Sequence, residues 1–227
     1  MSERWICVPD LQMPGEHKNA LKFIKSVVRE FRIPKDNVLF LGDEVDIFHG
    51  SQYPSGPDYG FTPSEEIQIA REKLKEWYKT FPVARVCISN HGLRWSRKAF
   101  ASNIPEAIIR EYHDIFQIPK SWQYQLQFLI KAKHPFMIQH GHGYSGKDGH
   151  RNAAIDNGVS TIIGHLHSFA AIDYIKTRNK EIWAVNSGSL VDENHFIFNY
   201  GKDSRNKVIN GCTVILDKGK RPFFIPI

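Results

Sequence analysis

The sequence predicts an α/β fold, and three observations predict it. Short apolar runs alternate with amphipathic, helix-length stretches as far as Gly164. Beyond that glycine the pattern is nearly all β. Five of the apolar runs end directly on residues that can bind a metal through oxygen or nitrogen. That is the placement an α/β sheet needs, since such sheets bind ligands outside the carboxyl ends of their strands.

The five runs are Trp5 to Val8, Val38 to Leu41, Val83 to Ile88, Phe136 to Ile138, and Ile162 with Ile163. They deliver Asp10-Leu11-Gln12, Gly42-Asp43-Glu44-Val45-Asp46, Asn90-His91-Gly92, His140-Gly141-His142 and Gly164-His165-Leu166-His167.

Between them, Leu11 to Gly15 reads as a turn. Leu21, Ile24, Val28 and Phe31 recur at helical spacing, which predicts a helix over His17–Phe31 with Pro34 just past its end. Gly50 to Pro63 has no period and is long enough to count as a functional loop. Ser64, Glu65, Glu66 and Ile67 open a capped helix reaching Lys79. Pro82 starts the third strand. Arg94 to Ile118 reads as helix in two pieces, broken near Asn103-Ile104-Pro105. Tyr124 to Ile130 alternates as one half-buried strand. Phe136–Gln139 is another strand, Gly141–Gly149 a glycine-rich loop and His150–Asn157 a short helix. Strands follow at Ser160–Ile163, Ala170–Lys176, Glu181–Val185, Val208–Leu216 and Arg221–Ile225.

The chain has 227 residues, read as a single domain over 1–227 without repeat or linker. Its 41% hydrophobic and 24% charged content is ordinary for a soluble protein. No apolar run approaches the ~20 residues of a membrane span, and the N-terminus reads as a strand rather than a signal peptide. Cys7, Cys87 and Cys212 lie scattered in apolar runs, which points to buried thiols in a reducing compartment and a cytoplasmic location. The net charge of +6 suits an anionic partner and no membrane. Oligomeric state is left open.

A binuclear metal site needs a bridging carboxylate, neutral imidazoles and an open coordination position. Asp10, Asp43, Asn90, His140, His165 and His167 supply that set from five strand ends. Singly each island is weak. Gly-Asp turns are common, and a close histidine pair is more often surface or core than ligand. The ordered set is much more specific. Trp77 and Trp122 read as packing residues. His17, His49, His113, His134, His150 and His195 lack motif context, although Tyr144, Lys147 and His150 could line a pocket. No phosphate-binding glycine loop, nucleophile elbow or Cys-His pair supports covalent catalysis.

In this order the residues resemble the calcineurin-like metallophosphoesterase superfamily, from Asp10 to about Leu190. Its motifs are Asp-x-His, Gly-Asp-x-x-Asp, Gly-Asn-His-(Asp/Glu), His-Gly and Gly-His-x-His. Four are recognisable here and the first is altered. Asn186-Ser187-Gly188-Ser189 also looks like the family's Asn-Pro-Gly-Ser stretch. The resemblance implies a four-layer α/β/β/α sandwich with two mixed sheets. It implies two divalent ions, with Asp10 and His167 on the first, Asp43 bridging, and Asn90, His140 and His165 on the second. His91 would meet the substrate as general acid or hydrogen-bond donor, oriented by Asp46. The implied chemistry is direct phosphoester hydrolysis through a metal-bridging hydroxide, without a phosphoenzyme.

Two departures bear on chemistry. Gln12 replaces the first-motif histidine. Its neutral, harder oxygen favours manganese or magnesium over zinc, with iron and nickel as further alternatives. The alternative is that Gln12 only hydrogen-bonds nearby. Gly92 stands where an acid usually follows, and Arg94, Trp95, Arg97 and Lys98 come next. Arg94 could clamp a phosphate, or the segment is a helix start with a solvated basic face. His142 could contact substrate or replace His140. Ile47 and Ile88-Ser89 stand where the serine/threonine phosphatase branch usually has arginines. The expectation is a phosphodiesterase acting on nucleotides or nucleic acid, a nuclease included. The alternatives are a phosphomonoesterase or protein phosphatase, or a non-catalytic scaffold.

Overall fold

The computed structural model of the chain describes residues 3–51, 60–195 and 207–227. Its frame is two mixed sheets. The first runs in the order β11-β10-β1-β2-β3-β4, formed by β1 (Trp5–Val8), β2 (Val38–Phe40), β3 (Ala84–Cys87), β4 (Trp122–Gln125), β10 (Gly211–Leu216) and β11 (Arg221–Pro226). Strands β1 to β4 are mutually parallel, and the β10–β11 hairpin adds antiparallel to β1. The second runs β5-β6-β7-β9-β8, from β5 (Gln127–Ile130), β6 (Phe136–Gln139), β7 (Ser160–Ile163), β8 (Ala170–Lys176) and β9 (Glu181–Ser187). Here β6, β7 and β9 are parallel, with β5 and β8 antiparallel at the two edges.

Alternation along each strand sorts the cores, because successive side chains point to opposite faces. Trp5 and Cys7 of β1, with Leu39 of β2, face the second sheet and meet Phe128, Phe136, Ile138, Ile162 and Trp183. Phe136 links the two sheets, with ring centroids 5.3 Å from Trp5 and 5.5 Å from Trp183. The intervening Ile6, Val8, Val38 and Phe40 face outward onto α1 (Ala20–Glu30) and α2 (Pro63–Thr80). There Phe40 packs on Trp77 and Trp122, both buried as the sequence suggests. On the far side, Ala154 of α5 (Gly149–Asn157) covers Ile182 and Ala184. The layers are therefore α/β/β/α. Strands buried on both faces read as continuous apolar runs, which is why β1, β2 and β7 were visible in sequence.

The predicted strand over Tyr124–Ile130 is two strands in different sheets. The chain crosses at Leu126, which is 64% exposed. The sequence keeps an apolar or aromatic residue at every even position from Trp122 to Ile130, so its alternation runs on across the crossing and gives no sign of it, although burial breaks at Leu126. The region after Asn103 is shorter in helix than predicted. Past α3 (Arg94–Ala101) it forms a 3-10 turn at Glu106–Ile108 and then α4 (Tyr112–Phe116), stopped by Gln117 at φ 53°. The cap of α2 is Thr62, two residues before Ser64. Its hydroxyl accepts from the Glu65 amide while the Glu65 carboxylate accepts from the Thr62 amide. Helix α1 starts at Ala20 and β10 at Gly211, each three residues later than predicted. Residues 52–59 of the predicted functional loop lie outside the described residues. The three cysteines are buried free thiols, and among the described residues no helix is long and apolar enough to cross a membrane.

Candidate metal centre

Parallel strands in both sheets point their carboxyl ends at one edge, and there the five islands meet. Asp10 follows β1, Asp43 and Asp46 follow β2, Asn90 and His91 follow β3, His140 ends β6, and His165 and His167 follow β7. Residues over 150 positions apart thereby become contacts. Asp10 Oδ2 lies 2.8 Å from His167 Nε2 and accepts from the His165 amide at 2.7 Å. His140 Nε2 lies 2.7 Å from Asn90 Oδ1 and 3.3 Å from Asp43 Oδ2. Asp43, His140 and His165 bring ligand atoms within 4.8 Å of one another. Asp10, Gln12, Asp43 and His140 are all buried.

The backbone is bent hard to do this. Gln12, Asp43, Ile47 and His165 all have positive φ, between 50° and 68°. Such conformations disfavour residues with a Cβ and gather at functional sites. Glycines allow the closest approaches. A Cβ on Gly42, at φ 99°, would come within 2.8 Å of Cys87 O and Ser89 Cβ and 3.0 Å of His140 Nδ1. A Cβ on Gly164 would overlap Asp10 Oδ1.

Electrostatics set the protonation states. Burial alone would raise the Asp43 carboxyl. His140 and His91 beside it, with hydrogen bonds from His140 and Ser89, hold it well below the usual range. Burial likewise opposes the charge on His140, but Asp43 and Asp10 push it up to about 9. His140 Nδ1 donates to Leu41 O at 2.9 Å, which leaves Nε2 as the metal-facing atom. Burial, then the charge on His140, push His165 down to about 4 and keep it neutral. His167 is raised, because the Asp10 hydrogen bond and charge overcome its burial.

The donor set fits divalent cations. Asp10 Oδ1 and Gln12 Oε1 are buried oxygens with no hydrogen-bond partner, and buried acceptors left without a donor are costly unless a cation takes them. Gln12 Nε2 meanwhile donates to Asp43 Oδ2 at 3.4 Å, so the amide oxygen is the end left over.

Around this core, Asp46 Oδ1 lies 2.9 Å from His91 Nδ1, and His91 Nε2 is 3.6 Å from Asp43 Oδ2. The Arg94 guanidinium is engaged inward. It donates to Asp46 O at 2.7 Å and to Asp46 Oδ1 at 3.2 Å, and its second nitrogen lies 2.8 Å from His91 Nε2. Arginine is only a donor, so His91 Nε2 accepts here, while Nδ1 faces Asp46 Oδ1 without completing a hydrogen bond. Arg97 and Lys98 lie on the exposed face of α3, with Lys98 donating to His49 O. His142 sits beside His140, ring centroids 5.7 Å apart, rather than against Asp43. Burial, then His140 and Arg97, lower its affinity for a proton.

Sequence reasoning missed several supports. Glu44, buried next to Asp43, accepts from Tyr112 and Tyr124 hydroxyls at 2.7 and 2.8 Å and pins the turn after β2. The Asn186 amide donates to Leu166 O and Phe169 O and holds the His165–His167 loop. The Asn-Ser-Gly-Ser motif was the signal for this. His150 is not an ordinary surface residue. It is buried, with Nε2 2.6 Å from Asp173 Oδ2, and a lone histidine opening a helix gives no hint of that.

No family model matches the chain, and no curated protein does. Among solved structures it is similar to Vps29 of Chaetomium thermophilum, at 10% identity and TM-score 0.42, over 99% of this chain and 96% of that one.

Proposed function

We propose that the chain is a metal-dependent phosphoester hydrolase of the calcineurin-like kind, acting on phosphodiesters of nucleotides or short nucleic acids. The observation that carries this reading is the pair of partnerless buried oxygens, Asp10 Oδ1 and Gln12 Oε1, beside a carboxylate shared by two histidines. Asp10, Gln12 and His167 would hold one divalent ion and Asn90, His140 and His165 a second, with Asp43 common to both. Manganese suits the oxygen-rich half. Bound ions would lower the pKa of water and neutralise charge on phosphoryl oxygens.

The side chains supply the rest. Neutral His165 keeps its lone pair for a cation. His91, with Nδ1 2.9 Å from Asp46 Oδ1, turns Nε2 toward the Asp43 side of the centre; with Arg94 drawn off, Nε2 is open to take up a proton and hand it to a leaving oxygen. Arg94 reaches His91 Nε2 without substrate. A phosphate arriving there would draw the guanidinium off the imidazole, since a charge-assisted contact to phosphate is the stronger one. His142, half-buried alongside, would line the approach.

The test is a side-by-side assay with manganese of bis(p-nitrophenyl) phosphate, p-nitrophenyl phosphate, cyclic nucleotides, RNA, and single- and double-stranded DNA. Diesters are expected to outrun the monoester, and nucleotides and short single strands to outrun long duplex. Preference for the monoester or for a phosphoprotein would overturn the phosphodiesterase reading.

A further inference from the structure

At the opposite end of the two sheets lie three turns, and all are basic. The β5–β6 turn carries Lys131 and Lys133. The β8–β9 turn carries Lys176, Arg178 and Lys180, and the β10–β11 turn carries Lys218, Lys220 and Arg221. All eight are exposed. Three acids stand among them: Glu181, Asp217, and Glu3, which accepts from the Lys133 amide. The excess of five positive charges compares with +6 for the whole chain. Among the described residues only Arg221 of the eight is ion-paired, to Asp217 at 3.2 Å.

Two of the turns are physically joined. The His134 amide donates to Lys218 O at 2.9 Å. A cleft of about 400 Å³ opens between the β5–β6 and β10–β11 turns and the adjoining strands β8 and β9, lined by His134, Tyr174, Glu181, Lys220 and Arg221. Tyr174 on β8 is 57% exposed there, which is unusual for a ring of its size. Ser160 at this cleft begins β7, and His165 lies just past its other end. The cleft and the candidate metal centre are thus a strand length apart, about 13 Å or more.

We infer that this end binds single-stranded nucleic acid at a surface separate from the candidate metal centre. Two features favour that partner over another polyanion. The five strands of the second sheet span about 19 Å, the length of a few nucleotides of extended single strand. The exposed tyrosine, in the cleft that Lys220 lines, offers a base a stacking face beside positive charge, the combination that single-strand binders use. A lipid surface needs neither the cleft nor the ring. The inference does not rest on hydrolysis.

The test uses the full chain in EDTA, where no metal-dependent turnover can occur. Anisotropy follows a labelled oligothymidylate of about 12 nucleotides, within the usual ~4–16 nucleotide site size. Between about 50 and 200 mM salt, the log–log slope should be about −2, for about three phosphate contacts at ~0.7 each. Lys218→Gln with Lys220→Gln should make it shallower by about 1.4. Tyr174→Ala should weaken binding roughly 5- to 100-fold at unchanged slope. Lys22→Gln with Lys25→Gln, exposed on α1, removes the same charge elsewhere and should change little. Equal losses from the two double variants would overturn the inference. So would no effect of Tyr174→Ala, or tighter binding to phosphatidylserine vesicles than to the oligonucleotide.

Discussion

Gln12 and His140 show most directly how single residues tune the centre. Gln12 offers a buried oxygen with no donor while its amide nitrogen reaches Asp43. Replacing it by histidine substitutes a softer nitrogen ligand, so Gln12→His should shift metal preference from manganese toward zinc in calorimetric titrations. An unchanged metal profile would show that Gln12 is not a ligand. His140 makes a second prediction. With no metal bound, Asp43 and Asp10 raise it to about 9, so at pH 7 it holds a proton that an ion at Nε2 must displace. Manganese binding at pH 7 should release about one proton from this residue, read as buffer-dependent heat, and affinity should climb with pH up to about 9. Because the folded value lies above the ordinary 6.5, the contribution of His140 to metal-free stability is fully present below pH 6.5. It is lost as pH rises through about 9, so EDTA-treated protein should melt lower at the alkaline end of that window. That these islands follow strands was legible because each lies just past an apolar run, and the structure brings them to one edge. The carbonyl of Leu41 and the carboxylate of Glu44 were not legible, since a backbone acceptor has no sequence signature and Glu44 reads as any turn acid.

The elements set how close those residues come. Gly42 and Gly158 both adopt positive φ, but Gly42 is hemmed in by Cys87, Ser89 and His140 whereas Gly158 has only the Lys180 ammonium near it, at 3.8 Å. Left-handed backbone costs a residue with a Cβ about 1–2 kcal/mol. Gly158→Ala should therefore cost about 1 kcal/mol in denaturant unfolding. Gly42→Ala should cost about 2 kcal/mol or more and also weaken manganese binding, because relief of the overlap moves Ser89 or His140. Equal costs would mean that the close approach is unimportant. Element boundaries were legible where burial changed along the chain, as at β1, β2, β6 and β7. They were not legible at Leu126, where one alternation serves two sheets. Nor were they after Asn103, where helix-favouring residues lack the tertiary cover that a longer helix needs.

Over the whole molecule, the strand order does what the sequence could only imply. It lays the carboxyl ends of β1, β2 and β3 against those of β6 and β7, so that a carboxylate from the second strand faces a histidine from the sixth. The alternating first half and β-rich second half announced two kinds of layer. Which strands shared a sheet could not be read, because pairing is a long-range choice that local pattern does not encode. The proposed phosphodiester hydrolysis puts the chemistry at this junction, with His91 as proton donor. The most direct measurement is kcat for bis(p-nitrophenyl) phosphate at saturating manganese, in the native chain and in His91→Asn, with bound metal counted in both. Turnover should fall by ~10²–10⁴-fold in the variant while the metal content is unchanged. Equal rates in the two proteins, or no turnover by a native chain that holds its manganese, would contradict it.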